Sequence, residues 1–434
     1  MKLLLRILFL SSFLFLTHCA SYTDETQELR KDYVSSKYNA SLEKLEKSPL
    51  KTSNKDRLLY NLEKSMILDR MGDRKASRES LFRADKIVDD LYTTSITKTA
   101  ATFFFNDSAS DYEGEDYEKV AIHTILALSF LEDNDISGAR VEAKKINSKL
   151  HEITQNYDPK YLHYKEDAFA RFLSGLVYES MQNWDDAIID YRTAIGIYST
   201  SQYSKFYEGS VPESLVTSLY GVALKRKRND VIQELKSKFP NIVEKYDADI
   251  RENPNGGDLI VLHAAGQVHA KEAKDFFLPI PVGQYTQVMR ISYPVIEKQN
   301  IDWQNTQCGA SVDSRYYSAA NTANMNALAY QSLDDKRGRL ILKNMARLII
   351  KATAVYQAGK NFGVLGYIGA NVAAAVTETA DTRSWTLMPQ AFYVNRIRLA
   401  PGKHSVETKT ASKVTNLVSV DIPANTLKFL VSKS

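Results

Sequence analysis

The sequence predicts an α+β protein, with an amino-terminal array of paired helices followed by a mixed α+β unit. Three observations carry that prediction. Apolar residues recur at three- and four-residue steps over residues 24–249. A turn-forming run, Arg251-Glu-Asn-Pro-Asn-Gly-Gly257, ends that texture. Beyond it come short continuous or alternating apolar runs, the pattern of strands.

The first element is a leader over residues 1–18. Lys2 and Arg6 make a positive end, and residues 3–5 and 7–16 form an apolar stretch interrupted only by Arg6, Ser11 and Ser12. A transmembrane helix needs about 20 apolar residues, so the layout is that of a secretory signal. Leu16-Thr17-His18-Cys19 resembles the lipobox of bacterial lipoproteins, with His18 where that family usually has Gly, Ala or Ser. The resemblance implies cleavage before Cys19, a diacylglycerol thioether on its sulfur and acylation of the new amine. Several acyl chains, at about 0.8 kcal/mol per buried methylene, would hold the chain on a bilayer. Ala20 and Ser21 follow with no aspartate. By resemblance to enterobacterial sorting, that favours the outer membrane, with the chain facing the periplasm.

The formal net charge of +4 falls by two when Lys2 and Arg6 leave. So small an excess argues against a nucleic-acid partner, which a strong basic patch would announce. Length and apolar content allow two domains, taken as residues 19–250 and 258–434. With Cys19 lipidated, Cys308 has no cysteine to pair with, and it reads as a partly buried small residue.

Within the helical half, Leu59, Leu62, Met66, Ile67 and Met71 mark one helix, closed by Gly72-Asp73; Ser77, Leu81, Ala84 and Ile87 mark the next. The pairing repeats, and it resembles the tetratricopeptide pattern of small and bulky residues. The clearest copy is Gly175, Tyr178, Ala187, Tyr191 and Ala194. A second runs through Ala127, Phe130 and Ala139, departing from the pattern at Ala143 and Ile146; a third is Ser65, Leu68, Ser77, Leu81 and Ala84. Small residues let paired helices approach, and large ones fill the grooves between pairs. The copies are further apart than the roughly 34 residues of the standard repeat. The surplus falls in residues 93–111 and 152–167, read as inserted loops or short helices. A degenerate pair is expected over residues 215–239, ending at Pro240.

In the second half, Asp258-Leu-Ile-Val-Leu-His263 reads as a buried strand and residues 285–295 as an alternating one. Residues 318–354 read as a long helix whose apolar stripe is Ile341, Leu342, Met345, Leu348 and Ile349. Residues 391–399, 404–408, 417–422 and 426–431 read as strands, with the first and last strands of this half meeting in one sheet. The halves are expected to fold independently, joined at residues 253–257.

No cofactor or metal is expected. In Tyr112-Glu-Gly-Glu-Asp-Tyr-Glu118 the carboxylates lack calcium-loop spacing; Glu113, Glu115 and Asp116 suit a helix N-terminus. His263 and His269 lack the spacing of a helical zinc pair, and His404 reads as hairpin decoration. Gly363, Gly366 and Gly369 read as close helix packing, with membrane insertion as the alternative. Tyr112, Glu113, Glu115, Tyr117, Arg383 and Trp385 are the expected partner-binding residues.

Taken together, residues 59–84, 111–146 (with YEGEDYE), 166–194, the Gly256-Gly257-Asp258 strand entry and Asp381-Thr-Arg-Ser-Trp385 resemble one uncharacterised family of proteobacterial lipoproteins with tetratricopeptide-like repeats. The resemblance implies export, lipidation and the two-part layout, and no reaction. The expected function is a non-enzymatic, membrane-anchored scaffold whose helical groove binds an envelope protein or peptide. The alternative is an envelope enzyme with Glu115, His263 or Arg383 in a site between the halves.

Overall fold

A computed structural model describes residues 21–95, 107–156, 166–200, 210–282, 285–297, 308–376, 378–410, 413–414 and 417–434. The helices come in antiparallel pairs: α1 (Tyr22–Val34) with α2 (Tyr38–Lys47), α3 (Arg57–Arg70) with α4 (Arg74–Ser95), and α5 (Asp116–Glu132) with α6 (Ile136–Asn156). Next come α7 (Ala168–Ser180) with α8 (Trp184–Tyr198) and α9 (Glu213–Lys225) with α10 (Asn229–Lys238), and α11 (Pro240–Glu252) closes the array. Pro240 therefore starts a helix, where its missing N–H costs nothing, instead of only ending the one before. The inserted stretches expected after α4 and α6 lie mostly outside the described residues.

One turn joins every pair. Ser36, Gly72, Asn134, Gln182 and Lys227 have φ between 52° and 85°. The amide that follows each reaches back five residues: Lys37 to Asp32, Asp73 to Leu68, Asp135 to Phe130, Asn183 to Tyr178 and Arg228 to Ala223. These are Schellman turns, which satisfy carbonyls that a helix end leaves unpaired.

The repeat signature lies at the contacts within and between pairs. Ser65, Ser77, Leu81, Ala84, Ala127, Ala139, Ala187, Tyr191 and Ala194 are buried, and so are Leu68 and Tyr178. A Cβ on Gly175 would stand 2.5 Å from the Tyr191 ring. Phe130 is half-buried and covers Gly138 in the same way, at 2.5 Å. The pair α1–α2 carries no signature in the sequence, yet it packs alike: Ser41 is buried and its Oγ donates to the Leu29 carbonyl at 2.9 Å.

The helical texture ends at the turn-forming run, and β1 (Gly257–Ala265) begins there. A mixed sheet has the order β11 (Leu427–Lys433), β1, β7 (Ala391–Leu399), β6 (Ala320–Asn324). β1 runs parallel to β11, so the first and last strands of this half do meet. Alternation along β1 sorts its buried side chains. Ile260 and Leu262 join the core of the helical array, while Leu259 and Val261 face a second sheet. That sheet is β10 (Val418–Ile422), β8 (Gly402–Thr410), β4 (Gly309–Val312) and β5 (Arg315–Ser318), with β9 (Lys413–Val414) on β8. The protein is thus layered as helices, sheet, sheet. Phe169 of α7 stacks on Phe392 of β7 with centroids 4.6 Å apart, inside a core that runs unbroken through both halves. The expectation of independent halves gives way to this shared core.

An arm leaves that body. β2 (Glu272–Val282) and β3 (Tyr285–Val295) form a hairpin, and α12 (Met325–Val376) folds back on itself at Gly363, where φ is +67°. Lys351 of the outgoing limb meets the Ala374 carbonyl of the returning one at 3.4 Å. A small core of its own holds the arm together: Met289 and Ile291 of β3 against Leu348 and Ala352 of α12. The helix expected over residues 318–354 is displaced. Residues 320–324 pair with β7 as a strand, and the helix runs on to Val376.

Ala187 is fully buried where α8 meets α7, whereas Asp185 is exposed two residues earlier. Ala187→Trp should lower stability by at least the roughly 1–3 kcal/mol of overpacking. Asp185→Trp should stay within about 0.5 kcal/mol. Thermal melts of the two variants check the register, and equal losses would refute it.

Candidate functional site

The first helices of the pairs, α3, α5, α7 and α9, are covered on one side by their partners and on the other by the second half of the chain. In repeat arrays this inner face is the binding surface. Here it holds residues 381–388 of the same chain. Glu63 of α3 accepts from the Thr386 N–H at 2.7 Å, the Thr386 hydroxyl at 2.7 Å, the Leu387 N–H at 3.0 Å and the Tyr22 hydroxyl at 2.6 Å. Glu118 of α5 accepts from the Trp385 N–H at 2.7 Å and the Tyr112 hydroxyl at 2.6 Å. Burial pushes both carboxyls above the usual range, against the pull of these donors.

Glu179 of α7 takes both arms of the Arg396 guanidinium, each at 2.8 Å, and Asp258 of β1 takes a third bond at 2.9 Å. Burial works against that guanidinium's charge, but Asp258 and Glu179 outweigh it and hold the group protonated. Arg383 bonds Asp381 at 2.8 Å, Asp56 at 3.0 Å and the Ser110 carbonyl at 2.9 Å, above the Tyr112 ring. Glu115 caps α5 and is held by Lys271 at 2.6 Å and by Lys336. Burial alone would raise its carboxyl, and the two ammonium groups reverse that and keep it ionised.

Of the residues expected to face a partner, Tyr112, Glu115, Tyr117, Arg383 and Trp385 are therefore buried and bonded within the chain. Glu113 is exposed. The groove itself is closed by the protein's own segment. Glu63, Glu118, Glu179 and Arg396, which make that closure, were not singled out from the sequence. Their only sequence signal is a charge set inside an apolar run.

A cleft of about 1120 Å³ lies between the start of α1, the root of the β2–β3 hairpin and residues 379–383. Gln27, Arg30, Gln267, His269, Arg290 and Thr382 are among its lining. The Thr382 hydroxyl, the Ser292 hydroxyl and the Gln267 amide nitrogen are buried there without a hydrogen-bond partner among the described residues. The Thr23 hydroxyl donates to the Lys271 carbonyl at 2.6 Å, which ties α1 to the root of the arm.

The arm exposes apolar side chains along its length. Of the stripe expected on α12, only Leu348 is buried; Leu342 is 69 % exposed and Ile349 58 %. At the tip Phe362, Val364, Leu365 and Ile368 are exposed, and on β2 so is Phe277. The three glycines have three roles. Gly363 supplies the positive φ of the turn, Gly366 sits where a Cβ would be 2.4 Å from the Ala358 carbonyl, and Gly369 meets nothing within 4 Å.

His263 lies in the sheet between Asn395 at 3.0 Å and Thr410 at 3.4 Å, and burial lowers its pKa to about 4. His404 bonds Asp313 at 2.6 Å on a hairpin edge. Cys308 is buried. Among the described residues no group of three His, Cys, Asp or Glu side chains could hold a metal. Glu115, His263 and Arg383 do not converge, and of the three only Arg383 lines the cleft.

No protein-family model matches the chain, and no curated protein matches it. Among solved structures it is similar to the apo form of RapI, at 13% identity and a TM-score of 0.35, over 52% of this chain and 72% of that one. It is also similar to a protein of Podosopora anserina with nearly identical TPR-like repeats, at 11% identity and a TM-score of 0.33, over 55% of this chain and 100% of that one.

Arg396→Ala leaves Glu179 and Asp258 buried without their counter-charge. It should cost about 3–5 kcal/mol in urea unfolding, whereas Lys403→Ala, on an exposed side chain, should change little. A fragment of residues 21–252 should lose cooperative unfolding and aggregate, because it uncovers an apolar groove lined by the same carboxylates. A soluble, sharply melting fragment would show that the shared core is dispensable.

Proposed function

We propose that this chain is a non-enzymatic, lipid-tethered scaffold of the bacterial envelope. It is held through Cys19 at the outer membrane, faces the periplasm, and takes a polar segment of a partner protein into the cleft at the root of the arm. The observation that carries the binding site is the cleft itself. The repeat groove is occupied in cis, while the cleft is of a size that takes ligands and is lined by buried polar atoms that have no partner among the described residues. The tether rests on residues 16–19, which lie outside the described residues, and on the resemblance to proteobacterial lipoproteins. Its position supports the reading. Cys19 is two residues before Ser21 in the sequence, and Ser21 lines the cleft rim.

Labelled palmitate should enter the protein in cells and not the Cys19→Ser variant. A photo-cross-linking residue at Gln27, in the cleft, should give a discrete adduct in the intact envelope. The same residue at Ile189, exposed on α8, should give none. Adducts that do not differ between the two positions would refute the cleft as the binding site, and equal labelling by palmitate would refute the tether.

A further inference from the structure

The helical hairpin of the arm has a charge pattern that neither the repeats nor the cleft explains. Basic residues recur along it at Arg339, Lys343 and Lys360, and no acidic residue stands between Asp335 and Glu378. Past Lys360 the tip and returning limb, residues 361–376, carry no charge at all. That uncharged end is also the most exposed apolar part of the protein, with Phe362 75 % exposed and Val364 74 %. Exposed apolar surface of this extent marks an interaction site. A basic stem leading to an uncharged apolar end is the composition of helices that lie in a bilayer interface.

We infer that the α12 hairpin inserts its tip into one leaflet of a bilayer rich in anionic phospholipid, with the basic stem against the headgroups. The geometry suits entry from one side. The returning limb ends at Val376, about 20 Å along a helix from Gly363, against a hydrocarbon core of about 30 Å. No helix among the described residues is long and apolar enough to cross. Helical backbone on both sides of the turn keeps its hydrogen bonds within the chain, as an apolar medium requires. The polar side chains near the tip suit the boundary. Asn371 donates to the Tyr367 carbonyl at 3.0 Å, and Tyr367 is the kind of ring that settles at headgroup level. Charge argues against a second copy as the cover. Arms paired symmetrically along residues 336–376 would bring basic stems together over a stretch that holds no acid, whereas anionic headgroups neutralise them. Placing the arm beside the membrane in cells rests on the proposed lipid at Cys19, close to the arm's root; the charge and exposure of the tip do not.

The test uses residues 21–434, which keep every described element and have neither leader nor lipid. The protein should sediment with vesicles of phosphatidylglycerol and phosphatidylcholine at least tenfold better than with phosphatidylcholine alone. The difference should shrink in 0.5 M salt, where the Debye length falls to about 4 Å from about 10 Å at 0.1 M. Leu365→Asp with Ile368→Asp, both exposed, should abolish sedimentation while leaving the melting temperature and circular dichroism unchanged. As a second readout, an environment-sensitive dye on Ile368→Cys, selective because Cys308 is buried, should shift to the blue with anionic vesicles. No sedimentation of the wild type, or equal sedimentation of the double variant, overturns the inference. So does an oligomer that the double variant dissolves while vesicles have no effect, which would make a second copy the cover. Because no lipid on Cys19 is present, failure here leaves the tether standing, and failure of palmitate labelling leaves the insertion standing.

Discussion

Three carboxylates buried on the inner helices, Glu63, Glu118 and Glu179, constrain the rest of the structure. An ionised group taken out of water without partners costs several kcal/mol, so such helices cannot face an empty apolar groove. The partners come from far along the chain: the N–H groups of Trp385, Thr386 and Leu387, and the Arg396 guanidinium. The need is mutual. Residues 381–388 belong to no strand or helix, so their buried amides have no ladder to join and require acceptors. Each side satisfies the other, and this is why a fold built from a repeat array behaves as one layered body.

How much of this was legible in the sequence depends on the range of the interaction. Local patterns were readable. β3 falls on the residues that alternation marks and β7 on those that read as a strand, and the helical texture stops at the turn-forming run. Turns were readable only where they contain glycine. Gly72 announces its turn, but the same geometry at Ser36, Asn134, Gln182 and Lys227 is imposed by the packing of the paired helices and leaves no mark in composition. The pair α1–α2 went unread for a related reason, since its contacts are made by Ser41 and Leu29 outside the small-and-bulky signature. The groove closure was not legible at all. Arg396 and Glu179 are 217 residues apart, and nothing in a single sequence links them.

The α12 stripe shows the opposite limit. Apolar residues at helical spacing identify a helix and one of its faces, but they do not say what covers that face. Here the covering element is the narrow β2–β3 hairpin, which reaches only as far round the helix as Leu348 and Ala352. Leu342, Met345 and Ile349 lie beyond its edge and stay in contact with solvent. A core stripe and an interaction stripe are thus the same pattern, and only the width of the neighbouring element separates them.

The arm's small core is separate from the main one, and its bearing is set at the root, where Met325, Leu328 and Ala329 of α12 join the main core beside a set of polar contacts. Lys271, just before β2, and Lys336, on α12, both close on Glu115, the residue that caps α5 in the groove. Thr23 holds the Lys271 carbonyl from the other side, and the Asn326 side chain takes the His269 amide. The hairpin and the helix are therefore pinned to one carboxylate at the N-terminus of α5, and through the Lys271 carbonyl to the start of α1. Glu115 is the hub of this arrangement because two cations hold it ionised in a buried place. The consequence is directional: anything that fixes the start of α1, three residues after Cys19, also fixes where the arm points.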